Sequence, residues 1–373
     1  YDRMFPQRLE ERRAWLRRGF SAAVEFAVER RAHLFLQAGD LFDSPEPRNL
    51  ERQFVAEALA RLAAAGVRCL GIGGNHDTPR SRNGQPLATP QGTFARLGGM
   101  RLLEGRGAVD SETFDVEGVR VAVGGVAPDP AAAVGSDPLE GLEWNPEADV
   151  TLLLLHGSLE GHVYPDAPEA IIRRRTLEAL KAVDYLVVGH VHRHAALRWD
   201  GRVVIVPGAT ERMTFAELEN RPGFVYLEVE PGRMSTFRHV EVEPQPRRQV
   251  VIPASELGGD DPAEALMARL EDVCDRAAMV RVVLEGPITR QRYHALRLRE
   301  LVEHGAGRSF FFDLDTTGLY VEDELGRGEA RSGRLSQREE LIRYARECLE
   351  AAGTDSERSL VEEATRLILE GYR

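Results

Sequence analysis

The residue pattern predicts an α/β protein in which helices cover a mainly parallel sheet and closely spaced later strands build a second one. Three observations carry that expectation. Apolar residues at helical spacing alternate with short apolar runs along residues 1–245. The runs stop at turn-forming Gly-Asp, Gly-Gly-Asn and Gly-His steps. After residue 114 the strands crowd together, as hairpins do.

Taken in order, Leu9, Leu16, Phe20, Val24 and Val28 recur at helical spacing and predict one amphipathic helix up to about Arg31. Residues 33–38 read as a short strand that stops at Gly39-Asp40. A second helix is expected over 49–65, ended by Gly66 as a glycine just past the cap. Residues 67–72 are the next strand, stopping at Gly73-Gly74-Asn75. Strand, helix, strand in that order implies parallel pairing with helices on the faces. Further strands are expected at 114–116, 119–126, 151–155, 185–188, 195–199, 203–207 and 224–230.

Glu243-Pro244-Gln245-Pro246 reads as a linker that closes a first domain, 1–245. A small α/β module over 247–323 follows: strand 249–252, helix 262–276, strand 280–285, helix 290–303 and strand 309–314. Asp261 before Pro262 supplies an N-cap and a first-turn proline. Over 334–373 two amphipathic helices are expected, each opened by a capping-box pattern, Ser336-x-x-Glu339 and Thr354-x-x-Glu357. Such a helical pair cannot bury its apolar faces alone, so it is expected to dock on the body or on a partner.

Hydrophobic residues at 43% and charged residues at 29% are globular proportions that exclude disorder and collagen-like repeats. The longest apolar runs, Leu152 to Leu155 and Tyr185 to Val188, fall far short of the ~20 residues that span a bilayer, so no membrane role is expected. The opening Tyr1-Asp2-Arg3 carries no secretory signal. Cys69, Cys274 and Cys348 form no C-x-x-C pair, which excludes a disulfide framework or thiolate zinc site and fits a cytoplasmic protein. The net charge of −12 divides evenly between residues 1–246 and 247–373, with no basic nucleic-acid arm. Binding to DNA would therefore need a local patch or a bridging metal.

Four clusters stand at the ends of expected strands: Gly39-Asp40-Leu41-Phe42-Asp43, Gly74-Asn75-His76-Asp77, Leu155-His156-Gly157 and Gly189-His190-Val191-His192. Ligands bind beyond the carboxyl ends of strands in α/β sheets, so the four are placed to share one site. A carboxylate, an amide oxygen and three imidazoles, without thiolate, suit manganese, iron or zinc rather than calcium. Singly, each cluster is also what an ordinary turn or a core histidine would show; together and in this order they point to a metal site.

In that order the clusters resemble the calcineurin-like metallophosphoesterases, whose motifs are Asp-x-His, Gly-Asp-x-x-Asp, Gly-Asn-His-Asp/Glu, a lone His, and Gly-His-x-His. The resemblance implies a two-sheet α/β sandwich of metallophosphoesterase type holding two divalent metal ions. It implies that Asp40 bridges the two ions, that Asn75, His156 and His190 hold the second, and that His192 holds the first. His76, held by Asp77, is then the histidine that assists the leaving oxygen, and Asp43 supports the ligands from behind. The family's Asp-x-His motif is absent from these residues, and the expectation is that it lies upstream of Tyr1.

Within the family the resemblance is strongest to the SbcD-type double-strand-break-repair nucleases. Tyr1-Asp2-Arg3 with the arginine-rich helix after it, the Gly39–Asp43 cluster, Pro207-Gly208-Ala209-Thr210-Glu211-Arg212 and the stretch 217–223 carry it. It is clear over 1–245, looser over 247–323, where the module resembles the nucleases' capping domain, and slight over 334–373. What it implies is a manganese-dependent DNA nuclease working as a homodimer with an SbcC-like coiled-coil ATPase, on which the C-terminal helical pair would dock. Arg173-Arg174-Arg175 is either a patch for the DNA backbone or a solvated helix start, and His162 and His194 have no assigned role. A phosphodiesterase or phosphatase for small molecules, and a non-catalytic subunit that tethers an ATPase to DNA, are the competing readings.

Overall fold

The computed structural model describes residues 6–79, 88–161, 170–199, 201–230, 235–258 and 261–322. Helix α1 (Pro6–Glu29) leads into strand β1 (Leu34–Ala38), helix α2 (Asn49–Ala64), strand β2 (Arg68–Ile72), helix α3 (Gln91–Arg96) and strand β3 (Arg101–Leu102). The three strands pair in parallel in the order β1-β2-β3, as the strand–helix–strand reading expects. Val24 and Ala27 of α1 and Val55, Ala58, Leu59 and Leu62 of α2 pack with Cys69 and Leu102 on the outer face of this sheet.

Both helices end where the chain turns left-handed. Helix α1 stops two residues short of the expected end, because Arg31 adopts φ +50° while Ala32 N–H closes on the Ala27 carbonyl at 2.9 Å. Gly66, at φ +77°, does the same for α2, with Val67 N–H donating to the Leu62 carbonyl at 2.9 Å.

The second sheet has six strands: β4 (Asp110–Val116), β5 (Val119–Val126), β6 (Val150–His156), β9 (Tyr185–Gly189), β10 (Ala195–Trp199) and β11 (Arg202–Val206). Between β6 and β9 lie the short parallel pair β7 (Ser158–Leu159) and β8 (Ile171–Ile172), then helix α4 (Arg174–Ala179). The sheet order is β10-β11-β9-β6-β5-β4. Close spacing alone predicts hairpins here, yet the centre is parallel (β5-β6, β6-β9, β9-β11) and only the edge pairs β4-β5 and β10-β11 are antiparallel. The sequence of β6 explains why: Val-Thr-Leu-Leu-Leu-Leu-His is buried throughout, as a strand covered on both faces must be. Leu152 and Leu154 face the first sheet with Leu70 and Ile72, whereas Leu153 and Leu155 pack under Leu159, Ile172 and Leu177. The two sheets thus lie face to face, with helices outside the first and with α4 and loops outside the second.

The hairpin of β12 (Gly223–Glu228) and β13 (Thr236–Glu241) rests on α1, where Phe26 meets Phe224 and Tyr226 edge-on at 5.3 Å each. A third sheet, β14 (Arg247–Pro253), β15 (Met279–Thr289) and β16 (Phe311–Glu322), is covered by α5 (Pro262–Val273), α6 (Arg290–Ala295) and α7 (Leu298–Arg308). Asp261 caps α5 as expected, accepting from Ala263 and Glu264 N–H at 2.9 and 3.1 Å. The single helix expected over 290–303 is two. Arg297 at φ +50° turns the chain, so that Leu296 and Leu301 both reach the core of this module. Residues 243–246 are no slack linker: Gln245 is buried, accepts from the buried Arg12 at 3.0 Å and donates to the Ala277 carbonyl at 3.4 Å. Arg12 also pairs with buried Glu211 at 3.0 Å, and Arg8 donates to the Ser309 and Phe310 carbonyls at 2.7 and 2.8 Å.

Apart from Glu322 at the end of β16, these elements belong to one compact unit, Tyr1–Val321, and a second unit begins at Glu322. The expected C-terminal helical pair and His162 lie outside the described residues. Among the described residues no helix is long and apolar enough to cross a membrane.

Candidate metal centre

The site forms where the carboxyl edges of the two sheets meet. Asp40 follows β1, Asn75 follows β2, His156 is the last residue of β6, and His190 follows β9, whose Gly189 is the register partner of His156. Glycines allow this convergence. A side-chain carbon on Gly39 would collide with the His156 ring, and one on Gly189 would overlap the Ala38 carbonyl. Asp40 (φ +53°) and His190 (φ +87°) both stand in the left-handed region that non-glycine residues avoid, so the fold holds the two donors in strained positions.

The donors fit a cation. His156 Nδ1 donates to the Ala38 carbonyl at 2.8 Å, because a carbonyl only accepts. Its Nε2 faces two oxygens, Asn75 Oδ1 at 2.8 Å and Asp40 Oδ2 at 3.2 Å. His190 Nδ1 lies 3.1 Å from the same Asn75 oxygen, and its ring stands edge-on to that of His156 with centroids 5.2 Å apart. A lone pair and two oxygens pointed at each other require positive charge among them, a proton or a metal ion. Donor atoms of Asp40, His156 and His190 lie within 4.8 Å of one another. One carboxylate oxygen, one amide oxygen and two imidazole nitrogens suit a divalent transition metal.

The electrostatics agree. Burial would raise the Asp40 carboxyl, but hydrogen bonds from His156 and the His76 N–H outweigh it and hold Asp40 below its ordinary range. Burial would lower His156, but Asp40 outweighs it and raises the imidazole. His190 is pushed down to about 4, first by burial and then by the neighbouring His156, which favours the neutral ring with one nitrogen lone pair to offer.

His192 lies apart from this group, with Nδ1 2.9 Å from Glu217 Oε1. His76 is half exposed at the rim, its N–H donating to Asp40 Oδ1 at 2.9 Å. The expectation that Asp77 holds the His76 ring is corrected here. The Asp77 carboxylate turns inward, accepting from Gly74 N–H at 2.6 Å, Leu41 N–H at 2.8 Å and the Gln91 amide. Burial raises its pKa, the Gly74 amide opposes that, and the Asp40 charge adds to it; the net shift is upward. Buried Asp77 thus pins the loop from within, while the His76 ring is half exposed. The carboxylate beside the His76 ring is that of Asp43, 3.4 Å from Nδ1. Glu217 and Gln91 are the two contributors that sequence reasoning misses; Gln91 gives no signal at all, and Glu217 only opens the 217–223 stretch that resembles the repair nucleases. Of the arginine triplet, Arg173 donates to the Gly135 carbonyl at 2.9 Å and Arg174 pairs with Glu178 one turn on at 2.9 Å, as residues at a helix start do. His194 Nδ1 donates to the Val206 carbonyl at 2.7 Å, and its ring stacks on His239.

Comparison with known proteins agrees with this geometry. Residues 8–194 match the family described as Calcineurin-like phosphoesterase. A Methanopyrus kandleri protein named DNA double-strand break repair protein Mre11 is 28% identical over 279 residues, covering 71% of this chain and 58% of that protein. The Archaeoglobus fulgidus protein of the same name is 25% identical over 321 residues, 77% of this chain and 69% of that protein. The chain thus spans less than two thirds of the Methanopyrus relative's length. Among solved structures, a novel archaeal phosphodiesterase aligns at a TM-score of 0.31 and 14% identity over 60% of this chain and 92% of its own.

Proposed function

Because the chain belongs to the calcineurin-like phosphoesterase family, we propose that it is a metal-dependent DNA nuclease that hydrolyses phosphodiesters in double-strand-break repair. The observation that carries the reading is the convergence of Asp40, Asn75, His156 and His190 from both sheets into one oxygen-and-nitrogen donor set. The similarity to proteins named for DNA double-strand break repair runs past the matched family region and supports a nucleic-acid substrate.

The residues divide the work. Asp40, Asn75, His156 and His190 would hold one divalent ion, and Asp40 with His192 would contribute to a second. When bound, such a pair polarises a phosphodiester and lowers the pKa of a water toward neutrality. His76, exposed at the rim and steadied by Asp43, is set to give a proton to the departing sugar oxygen. Asp77 and Gln91 keep the His76 loop in place. Manganese is the ion we assign, an SbcC-like ATPase the partner, a homodimer the assembly and the cytoplasm the compartment. On this reading residues 247–323 act as the capping domain.

The test uses protein expressed from its natural start codon, end-labelled linear duplex DNA and manganese, beside His76→Ala. Degradation that needs both manganese and His76 is expected. No degradation, even with the ATPase partner and ATP added, would sink the nuclease reading, and turnover of a chromogenic phosphodiester alone would replace it with a small-substrate esterase.

A further inference from the structure

Glu217 ends the short 3₁₀ turn Phe215–Glu217, and its side chain is only 13% exposed. Its two oxygens do different things. Oε1 lies 2.9 Å from His192 Nδ1, and Oε2 accepts the Met213 N–H at 2.6 Å. A carboxylate only accepts, so Nδ1 of His192 carries the proton and Nε2 becomes the nitrogen that offers a lone pair. The same segment also grips the His192 backbone, since Ala209 N–H donates to the His192 carbonyl at 3.0 Å. Ring and backbone of His192 are therefore both tied to the stretch 209–217.

We infer that Glu217 is a positioning residue that fixes the tautomer and direction of the His192 ring so that Nε2 serves as a metal donor. The inference rests on the two-ion reading proposed above. The carboxylate is well suited to this task. Its low exposure limits competition from water, and the Met213 amide stops it from swinging away. A negative acceptor on Nδ1 also makes the opposite nitrogen a stronger base toward a cation.

The experiment reads His192 directly. Long-range proton–nitrogen NMR on metal-free, histidine-labelled protein reports which ring nitrogen is protonated, and calorimetric titration with manganese reports each site's affinity. Wild type is expected to show His192 protonated at Nδ1. Glu217→Gln leaves one acceptor for two donors, the His192 Nδ1 proton and the Met213 N–H, and is expected to shift His192 part-way toward the Nε2-protonated form with a smaller loss of affinity than the methionine variant. Glu217→Met removes the acceptor at similar length; it is expected to mix the tautomers and weaken one of two manganese sites by roughly 10–100-fold, leaving the other unchanged. Wild-type His192 protonated at Nε2 would overturn the inference whether or not any variant folds. So would Glu217→Met with both affinities intact, or an equal loss at both sites together with a lowered melting temperature, which marks a merely structural role. Wild type that takes up a single manganese instead sinks the two-ion reading, and the tautomer then decides the Glu217 contact on its own.

Discussion

Gly189→Ala is the smallest change that tests how the two sheets are joined at the site. A methyl at this position would overlap the Ala38 carbonyl oxygen and stand 2.8 Å from the carbonyl carbon and 2.9 Å from His156 Nδ1, where ordinary contacts run 3.4–4 Å. The backbone of β1 must therefore retreat from β9 by about 1 Å or more. His156 Nδ1 now reaches the Ala38 oxygen at 2.8 Å, and a retreat of that size takes the pair out of hydrogen-bonding range. Overpacking a dense core costs roughly 1–3 kcal/mol, and stranding a buried donor costs about 1–3 kcal/mol more. The expected loss is thus ~2–6 kcal/mol in urea unfolding of the metal-free protein, with manganese affinity falling roughly 10–100-fold as the ring loses its anchor. A variant within ~0.5 kcal/mol of wild type that keeps its affinity would refute the close approach of Gly189 to Ala38.

Three further outcomes follow from the same geometry. Arg12→Ala, which removes the guanidinium from buried Glu211 and Gln245, is expected to cost about 3–5 kcal/mol by chemical denaturation; a loss under ~1 kcal/mol would mean that the junction is solvated. Gly66→Ala meets no neighbour yet must adopt φ +77°, so a loss of ~1–2 kcal/mol with an unchanged denaturant slope is expected, and a gain would contradict the left-handed cap. His190 falls from an ordinary 6.5 to about 4 on folding, so the unfolded chain binds the extra proton. Its contribution is at full strength above pH ~6.5 and is lost as pH falls toward ~4, by roughly 3 kcal/mol in all; urea unfolding in EDTA should show that slope in wild type and not in His190→Asn, and equal slopes would refute it.

Much of this was legible in the residues because it is local. The Gly66 cap, the Asp261 cap and the strand–turn steps around Asp40, Asn75, His156 and His190 all declare themselves within a few positions. What escaped is set by distance along the chain. Gln245 looks like part of a flexible Pro-rich linker until Arg12, from the first helix, is brought against it. Strand β13 is mostly exposed and shows no apolar run, so only its pairing with β12 reveals it. Arg297 carries neither glycine nor proline to announce the break between α6 and α7, which burial of Leu296 and Leu301 in one core demands. Asp77 and Asp43 are both near His76 in sequence or space, and only the direction of a tight turn tells which one meets the ring.

The donors of the site come in pairs from opposite sheets: Asp40 and Asn75 from the first, His156 and His190 from the second. On the proposed reading a cation held by all four would act as a rivet through two laminae that otherwise meet through an apolar interior, the His156–Ala38 hydrogen bond and the ion pairs Arg101–Asp110 and Arg68–Glu112. Its binding energy opposes delamination at that edge, amounting to about 2.7 kcal/mol when the free ion stands at a hundred times its dissociation constant. Chelation should then loosen the seam between the sheets before it touches either sheet's own ladder, and exchange of the His156 Nδ1 proton, held by the Ala38 carbonyl across that seam, would register the opening first.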